Sequence, residues 1–370
     1  MAPSAISPEP EAEYVEFSHD GYWGHKREVL RGARAKPTFE ELPIIDISGS
    51  FSDDFDVRLK VAKDIANACE KVGFFYIVNH GISQELLDGT MGAARKYFEK
   101  PLDEKMKEHI YKSKDLRGYE PVHGANVDPR TKGDRKESFL HNYEPECDPV
   151  PPKMTDEQRA LLHQNLWPEN DTEFKKACYK YDSHMVVLMR KMMQMFALGL
   201  GLDEHHFDKK VTHPLASCKM IHYPPQDPSV NDETGIGAHT DFVCFTMLLQ
   251  DDVGGLEVLN ANAHWVPATP VKGAFVVNVG DFLMRLTNRK FLSTVHRVTN
   301  KSGRERYSMP WFCSFNLDAI VEVLPDYVTE EQAAAYEPIT VAEYYKRRLT
   351  KQRNIAIMKK KFVGEDVAEA

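Results

Sequence analysis

Several features that would mark a membrane, secreted or nucleic-acid-binding protein are missing from this 370-residue chain. No apolar run approaches the roughly 18 residues that a membrane-spanning helix needs. The six cysteines include no Cys-x-x-Cys pair, which indicates reduced thiols and not a disulfide framework. Lys and Arg number 47 against 56 Asp and Glu, so no basic excess is available to neutralise nucleic-acid phosphates. We therefore expect neither a membrane nor a nucleic-acid partner.

The ends of the chain also lack targeting motifs. The first residues have neither the basic start nor the apolar run of a secretory signal, and the last residues have no lipidation or retention motif. The composition that is present, 42% hydrophobic and 28% charged, is ordinary for a soluble globular protein. These features predict a cytoplasmic protein and leave its oligomeric state open, a monomer included.

The chain divides into four segments that differ in sequence texture. Residues 1–36 are rich in Pro, Glu and Ala without periodicity, and we expect a flexible N-terminal arm. Residues 37–213 mix short apolar strands with amphipathic helices, one of them long and rich in Met and Leu on its core-facing side. Residues 214–320 hold short strands separated by Gly, Asn and Pro, which is typical of a barrel or a double-sheet roll. Residues 321–370 are expected to form a C-terminal helical extension, which makes the chain a mixed α and β protein.

A histidine and an aspartate lie inside the stretch GIGAHTDFVCFTMLLQ, residues 235–250, which otherwise reads as a buried strand. Because side chains two apart on a strand share a face, His239 and Asp241 are predicted to project together. Such N and O ligands suit a first-row divalent metal, and one more histidine would complete a 2-His-1-carboxylate triad. A second His-x-Asp, at His206 and Asp208, lies in a polar run without a flanking strand, and we interpret it as solvated surface.

Further polar residues follow on later predicted strands. The run STVHRV supplies His296, and the run RYS places Arg306 and Ser308 on one face of a strand. A buried arginine is costly unless it is paired, and its planar fork matches a carboxylate. No acidic residue in the adjacent predicted strands is an obvious partner. The sequence therefore predicts a metal held by the triad and an anionic ligand held by Arg306 and Ser308.

This ordered set resembles the iron(II)- and 2-oxoglutarate-dependent dioxygenases, in the subfamily that includes isopenicillin N synthase. The motifs that carry the resemblance are GFFYIVNHGIS, DRKESF, HYPP, GAHTD, STVHRV and RYSMPWF. The resemblance implies a double-stranded β-helix (jelly-roll) core that binds Fe(2+) through His239, Asp241 and His296, with no catalytic residue beyond the iron centre.

The resemblance also implies how the cosubstrates are used. Arg306 and Ser308 would hold the distal carboxylate of 2-oxoglutarate, and Tyr223 would help to hold the cosubstrate. One departure is Ile221, where many relatives have Asn. With O2, such an enzyme oxidises a small molecule, here expected to be a specialised metabolite, and releases succinate and CO2.

Aromatic and long side chains near the predicted barrel mouth are candidates for substrate contact, with His141 and Asn142 behind them. The candidates are Arg117, Tyr119, Phe139, Phe245, Leu286, Trp311 and Phe315. Two other functions are left open by the sequence. One is an oxidase of the same fold that does not use 2-oxoglutarate, and the other is a non-catalytic metal-binding relative.

Overall fold

A computed structural model describes residues 12–19, 22–227 and 234–352 of the chain. Within these residues there are α-helices at seven places. They are α1 (Phe55–Lys71), α2 (Gln84–Phe98), α3 (Leu102–Lys105), α4 (Asp156–Leu161), α5 (Thr172–Gly199), α6 (Asp281–Leu286) and α7 (Val341–Gln352). None of these helices has both the length and the apolarity to span a bilayer.

The strands form a large sheet, a smaller sheet and a two-stranded ribbon. In spatial order the large sheet is β3 (Ile44–Asp46), β4 (Phe74–Val78), β12 (Phe275–Val279), β9 (Phe245–Gln250), β14 (Arg306–Asn316), β7 (Pro214–Tyr223), β6 (Glu137–Asn142) and β5 (Gly118–Glu120). The smaller sheet is β11 (Trp265–Pro267), β10 (Leu256–Leu259), β13 (His296–Val298), β8 (Ile236–His239), β1 (Tyr14–His19) and β2 (Tyr22–Glu28). The ribbon pairs β15 (Ile320–Val321) with β16 (Ile339–Thr340).

The large sheet is covered on both faces. One face packs against the helices, above all α5, whose Met and Leu side chains lie in the main core as their helical spacing predicts. The other face packs against the smaller sheet, so that Ile221 and Leu248 of the large sheet share a second core with Val258 of the smaller one. Burial on both faces explains why β7, β9 and β14 read as nearly continuous apolar runs.

Close helix packing fixes the helical layer. Gly199 at the end of α5 lies against α1, where an added Cβ would come within 2.7 Å of the Ala62 carbonyl oxygen.

The expected fold class, mixed α and β with curled sheets that form a jelly-roll core, is confirmed. The segment boundaries after residues 36, 213 and 320 stay predictions.

Two local features differ from the sequence-based expectation. The stretch 235–250 is not one strand, because β8 ends at His239 and the chain bends through residues 240–244 before β9 begins in the other sheet. The arm expected at 1–36 contains an antiparallel pair, β1 and β2, which extends the smaller sheet. Ser18 of β1 lies beside His239 in a parallel pair, and its carbonyl accepts a hydrogen bond from the Thr240 N–H at 3.2 Å.

Candidate active site

The three residues of the predicted triad converge between the two sheets. His239 and His296 face each other across the antiparallel pair β8–β13, with ring centroids 4.3 Å apart. The bend after β8 brings the Asp241 carboxylate back to them. Asp241 Oδ1 lies 3.7 Å from His239 Nε2 and 3.9 Å from His296 Nε2. Among the described residues, this is the one group of three His, Cys, Asp or Glu side chains positioned to hold a metal ion.

Hydrogen bonds to the atoms that face away from the centre of the triad fix the orientation of all three side chains. Asp241 Oδ2 accepts from Thr246 Oγ1 at 2.6 Å and from Asn278 Nδ2 at 2.8 Å, which leaves Oδ1 facing the imidazoles. His239 Nδ1 lies 2.8 Å from the Gly237 carbonyl, and His296 Nδ1 lies 3.3 Å from the Thr294 carbonyl. A carbonyl only accepts, so each Nδ1 carries the proton and each Nε2 keeps its lone pair for a metal.

The charge state of the triad also fits a cation. Burial lowers the pKa of His296 to about 4, and the neighbouring His239 acts in the same direction. Burial alone would raise the pKa of Asp241, but the two imidazoles and the hydrogen bonds from Thr246 and Asn278 bring it below its ordinary value. At neutral pH the site therefore offers a neutral His296 and an ionised carboxylate, the forms that bind a divalent metal.

Arg306 is completely buried on the cavity face of β14. Its Nε donates to the Gly254 carbonyl, Nη1 donates to Ser308 Oγ at 3.2 Å and Nη2 donates to Gln250 Oε1 at 3.3 Å. The guanidinium carbon lies 4.7 Å from the centroid of the Tyr223 ring. All of these partners are neutral, and no carboxylate in the described part of the chain pairs with Arg306. A buried, uncompensated guanidinium is suited to an anionic ligand.

The triad and Arg306 open into one cavity of about 540 Å³. Ser308, Tyr223 and Ile221 line it as well, so the structure brings together all of the residues predicted for metal and cosubstrate. Two parts of the wall come from segments that the sequence did not indicate. The N-terminal hairpin supplies Trp23, and the loop before β6 supplies Asn126 and its neighbours.

The seven predicted substrate contacts lie elsewhere. None of Arg117, Tyr119, Phe139, Phe245, Leu286, Trp311 and Phe315 is among the lining residues, and all seven are buried. Strand alternation explains the result on β14, where Ser308, Pro310 and Phe312 face the cavity and Trp311 points into the helical core. Counting by two from Ser308 would have selected Pro310 and Phe312 from the sequence.

The buried candidates have structural contacts of their own. Arg117 donates to the carbonyl of Asp115 at 2.6 Å and contacts His163 and Tyr345, each at 2.9 Å. Tyr119 donates to Glu137 at 2.6 Å on the helical side of the sheet. The second His-x-Asp motif lies on the surface, as predicted: His206 is exposed.

Comparisons with known proteins agree with this geometry. Residues 42–170 match the family model described as the N-terminal region of a non-haem dioxygenase in morphine synthesis, and residues 215–315 match the 2OG-Fe(II) oxygenase superfamily. A 2-oxoglutarate-Fe(II) type oxidoreductase of Metarhizium majus is 37% identical over 340 residues, which is 87% of this chain and 90% of the relative. One of Emericella nidulans is also 37% identical, over 81% of this chain and 87% of the relative.

A solved structure shows the same similarity in three dimensions. A full-length Neurospora crassa protein, crystallised in complex with alpha-KG and thymine, superposes with a TM-score of 0.73 at 28% identity, covering 84% of this chain and 97% of that one. A jelly-roll core with two histidines, one carboxylate and an unpaired arginine in one cavity defines a non-haem iron oxygenase. The chain belongs to the iron(II)- and 2-oxoglutarate-dependent dioxygenases, and is an enzyme that uses Fe(II), 2-oxoglutarate and O2.

Proposed function

We propose that His239, Asp241 and His296 bind the iron, and that Arg306, Ser308 and Tyr223 bind 2-oxoglutarate. The observation that carries the assignment is the convergence of Asp241 Oδ1 and two Nε2 atoms in the cavity that also contains Arg306. Three protein ligands leave coordination positions open, as the facial triad of this class requires. Iron(II), when bound, supplies the oxidising chemistry that couples decarboxylation of 2-oxoglutarate to oxidation of the substrate.

The protein residues then have distinct tasks. Thr246 and Asn278 hold Asp241 in its binding orientation, because they donate to the oxygen that faces away from the imidazoles. Arg306 orients the distal carboxylate of 2-oxoglutarate through its planar fork. Apolar walls such as Leu248 and Val298 exclude water from the reacting centre.

We infer that the primary substrate is a small molecule. A cavity of about 540 Å³ lies in the size range of sites for small ligands, roughly 300–1,000 Å³. The similar Neurospora crassa structure holds thymine, which is also small. Among the relatives, one is named a homoarginine-6-hydroxylase and another a 1-aminocyclopropane-1-carboxylate oxidase, names that also denote small-molecule substrates. A specialised metabolite is our expectation for this chain.

Iron binding and the visible spectrum of the protein with Fe(II) and 2-oxoglutarate test these assignments. Purified protein should bind one Fe(II) per chain without oxygen and show a weak visible charge-transfer band when 2-oxoglutarate is added. The His296→Ala variant should lose both properties. His206→Ala removes the surface histidine of the second motif and is the matched control, so it should behave as wild type. Equal iron binding by His296→Ala and wild type would contradict the assignment of the triad.

A further inference from the structure

The bend that carries Asp241 is held by the beginning of α6. Three consecutive backbone N–H groups there donate to carbonyl oxygens of the bend. They are Gly280 to Cys244 at 2.8 Å, Asp281 to Asp241 at 2.8 Å and Phe282 to Val243 at 3.1 Å. The approach is so close that a Cβ on Gly280 would come within 2.2 Å of the Val243 carbonyl oxygen. The shape of the bend therefore depends on where the beginning of α6 lies.

The side chain of Asp281 is buried behind this bend. Asp281 is the first residue of α6 and is only 1% exposed. It is not among the residues that line the cavity, so its carboxylate faces away from the space that a substrate would fill. A buried carboxylate needs a cation or hydrogen-bond donors around it. The partners of Asp281 come from three distant parts of the chain.

The C-terminal helix α7 supplies a cation and a hydroxyl. Arg348 Nη1 lies 3.7 Å from Asp281 Oδ2, and both side chains are 2% exposed. The Tyr344 hydroxyl donates to the same oxygen at 3.3 Å. The guanidinium carbon of Arg348 also lies 5.3 Å from the centroid of the Phe242 ring, which belongs to the bend and lines the cavity. The helix α7 therefore contacts both Asp281 and the bend.

Two further segments meet at the other oxygen of Asp281. Ser293, on the segment that leads into β13, donates to Asp281 Oδ1 at 2.7 Å. His19 of β1 has its Nδ1 3.9 Å from the same oxygen and 3.0 Å from Thr240 Oγ1. Thr240 is the first residue of the bend. The N-terminal hairpin therefore also contacts both Asp281 and the bend.

These contacts give Asp281 a role in the metal site although it does not touch the metal. We propose that Asp281 is a positioning residue, through which β1 and α7 hold the bend in the shape that brings Asp241 Oδ1 to the two imidazoles. The inference rests on the proposed function, because it concerns how tightly the triad binds iron. Without the negative charge of Asp281, the buried Arg348 loses its counterion and the support of the bend is weakened. A ligand that is less well oriented binds its metal less tightly.

A second buried aspartate offers a matched control. Asp148 accepts from Arg190 Nη2 at 2.7 Å and from the Tyr143 hydroxyl at 2.8 Å. Asp148 and Asp281 are therefore alike in burial, in an arginine partner and in a tyrosine partner. They differ in what they support, because the partners of Asp148 belong to the helical layer and none of them lines the cavity.

The affinity for iron tests the inference. Asp281→Asn keeps the side-chain shape and removes the charge, and it should raise the dissociation constant for Fe(II) by about tenfold or more. Asp148→Asn should keep the wild-type value, although both variants should unfold at lower urea concentrations than wild type. Competition with a ferrous chelator without oxygen measures the affinity, and urea denaturation of the metal-free protein measures the stability.

Two results would overturn the inference. One is an Fe(II) affinity of Asp281→Asn equal to that of wild type. The other is an equal loss of affinity in Asp281→Asn and Asp148→Asn, because the loss would then follow from a less stable fold and not from the position of Asp241.

A milder pair of variants answers the question if Asp281→Asn does not fold. Arg348→Lys keeps a positive charge beside Asp281 and loses the planar group that lies over Phe242. Its dissociation constant for Fe(II) should rise by about threefold or more, as expected for a weakened support of a ligand. Arg190→Lys makes the same change beside Asp148 and should bind iron as wild type does. Equal iron affinities for the two Lys variants would overturn the inference.

The proposed function fails by a different result. If His296→Ala binds iron as tightly as wild type, the assignment of the triad is wrong. If His296→Ala loses iron and Asp281→Asn binds it as wild type does, the triad stands and only the positioning role is lost.

Discussion

Asp241 has two oxygens with different tasks. One oxygen faces the imidazoles and the other accepts hydrogen bonds from Thr246 and Asn278. Such outer hydrogen bonds hold a ligand in the orientation that the metal requires, and their loss typically costs about 10–100-fold in metal affinity. Asp241 is thus suited to the proposed role of metal ligand by its neighbours as well as by its charge.

We expect Thr246→Val to raise the dissociation constant for Fe(II) by about 10–100-fold, since the variant keeps the side-chain shape and loses the donor. A competition titration against a ferrous chelator without oxygen measures the effect. Thr90→Val is a matched control, because Thr90 is a buried threonine whose hydroxyl bonds to the Leu86 carbonyl within α2. Equal iron affinities for the two variants would show that the Thr246 hydrogen bond is irrelevant to the metal.

Arg306→Lys keeps a positive charge and loses the planar fork. If Arg306 holds 2-oxoglutarate, the apparent KM for 2-oxoglutarate should rise by about 10–100-fold, which corresponds to losing about 1.5–3 kcal/mol of charge-assisted hydrogen bonding. Iron content and thermal stability should change little. A rise in the KM of the primary substrate alone would instead assign Arg306 to that substrate.

Tyr223→Phe should have a smaller effect than Arg306→Lys. The variant keeps the ring that lies against the guanidinium and loses only a neutral hydroxyl, whose hydrogen bond is worth about 0.5–1.5 kcal/mol. The KM for 2-oxoglutarate, measured for both variants in parallel, ranks the two residues. A larger defect in Tyr223→Phe would reverse the ranking.

At the scale of the element, neighbouring residues of β14 lie on opposite faces of the sheet and have different roles. Trp311 is buried in the helical core, where its Nε1 donates to Asp182 at 3.0 Å, and Phe312 lines the cavity. Trp311→Phe should therefore lower the free energy of unfolding by about 1–3 kcal/mol, because the Asp182 oxygen loses its donor. Phe312→Leu should change stability by less than about 1 kcal/mol and alter substrate-dependent succinate release. Urea denaturation and turnover of both variants check the assignment, and the reverse pattern would contradict it.

The same strand shows how far the sequence could lead. The triad, Arg306 and Ser308 were predictable because polar residues stand out in apolar strands, and their order along the chain was informative. Trp311 was selected instead of Phe312, because a strand buried on both faces has no polar alternation of its own, and only counting by two from Ser308 indicates which side chain faces the cavity. The sequence also did not predict the bend at residues 240–244, because no Gly or Pro interrupts the pattern of this stretch between β8 and β9. The β1–β2 hairpin was missed because its pairing partner, β8, is more than 200 residues away.

At the scale of the whole molecule, His163 joins three distant segments. Its Nδ1 lies 2.9 Å from Arg117 Nη2 and 2.8 Å from Asn142 Nδ2, and its ring is tilted against that of Tyr345 of α7 with centroids 5.3 Å apart. Arg117 Nη2 and Asn142 Nδ2 both carry hydrogens and act as donors, so His163 Nδ1 is the acceptor. The imidazole of His163 is therefore neutral. Burial, together with the charge of Arg117, lowers the pKa of His163 to about 4.

Acid should therefore destabilise the fold through His163. The unfolded chain takes up the proton near the ordinary pKa of 6.5, whereas the folded protein resists it until about 4, so the free energy of unfolding falls as pH drops through this window. The loss should reach up to about 3 kcal/mol, at 1.36 kcal/mol per pKa unit. His163→Asn keeps an acceptor that cannot titrate and should flatten the dependence, measured by urea denaturation between pH 7 and about 4.5. His206→Asn, on the surface, should keep the wild-type slope, and an unchanged slope in His163→Asn would assign the acid sensitivity to other groups.

The hairpin that extends the smaller sheet places part of the cavity wall outside the region by which the family is recognised. The matching family models begin at residue 42, whereas Ser18 and Trp23 line the cavity. The proposed metal ligands, Arg306 and the core strands can thus stay fixed while the N-terminal segment varies. Exchange of the first 36 residues between family members is therefore a route by which one catalytic centre can acquire new substrate preferences, in natural divergence or in the laboratory, without any change to the residues proposed to hold iron and 2-oxoglutarate.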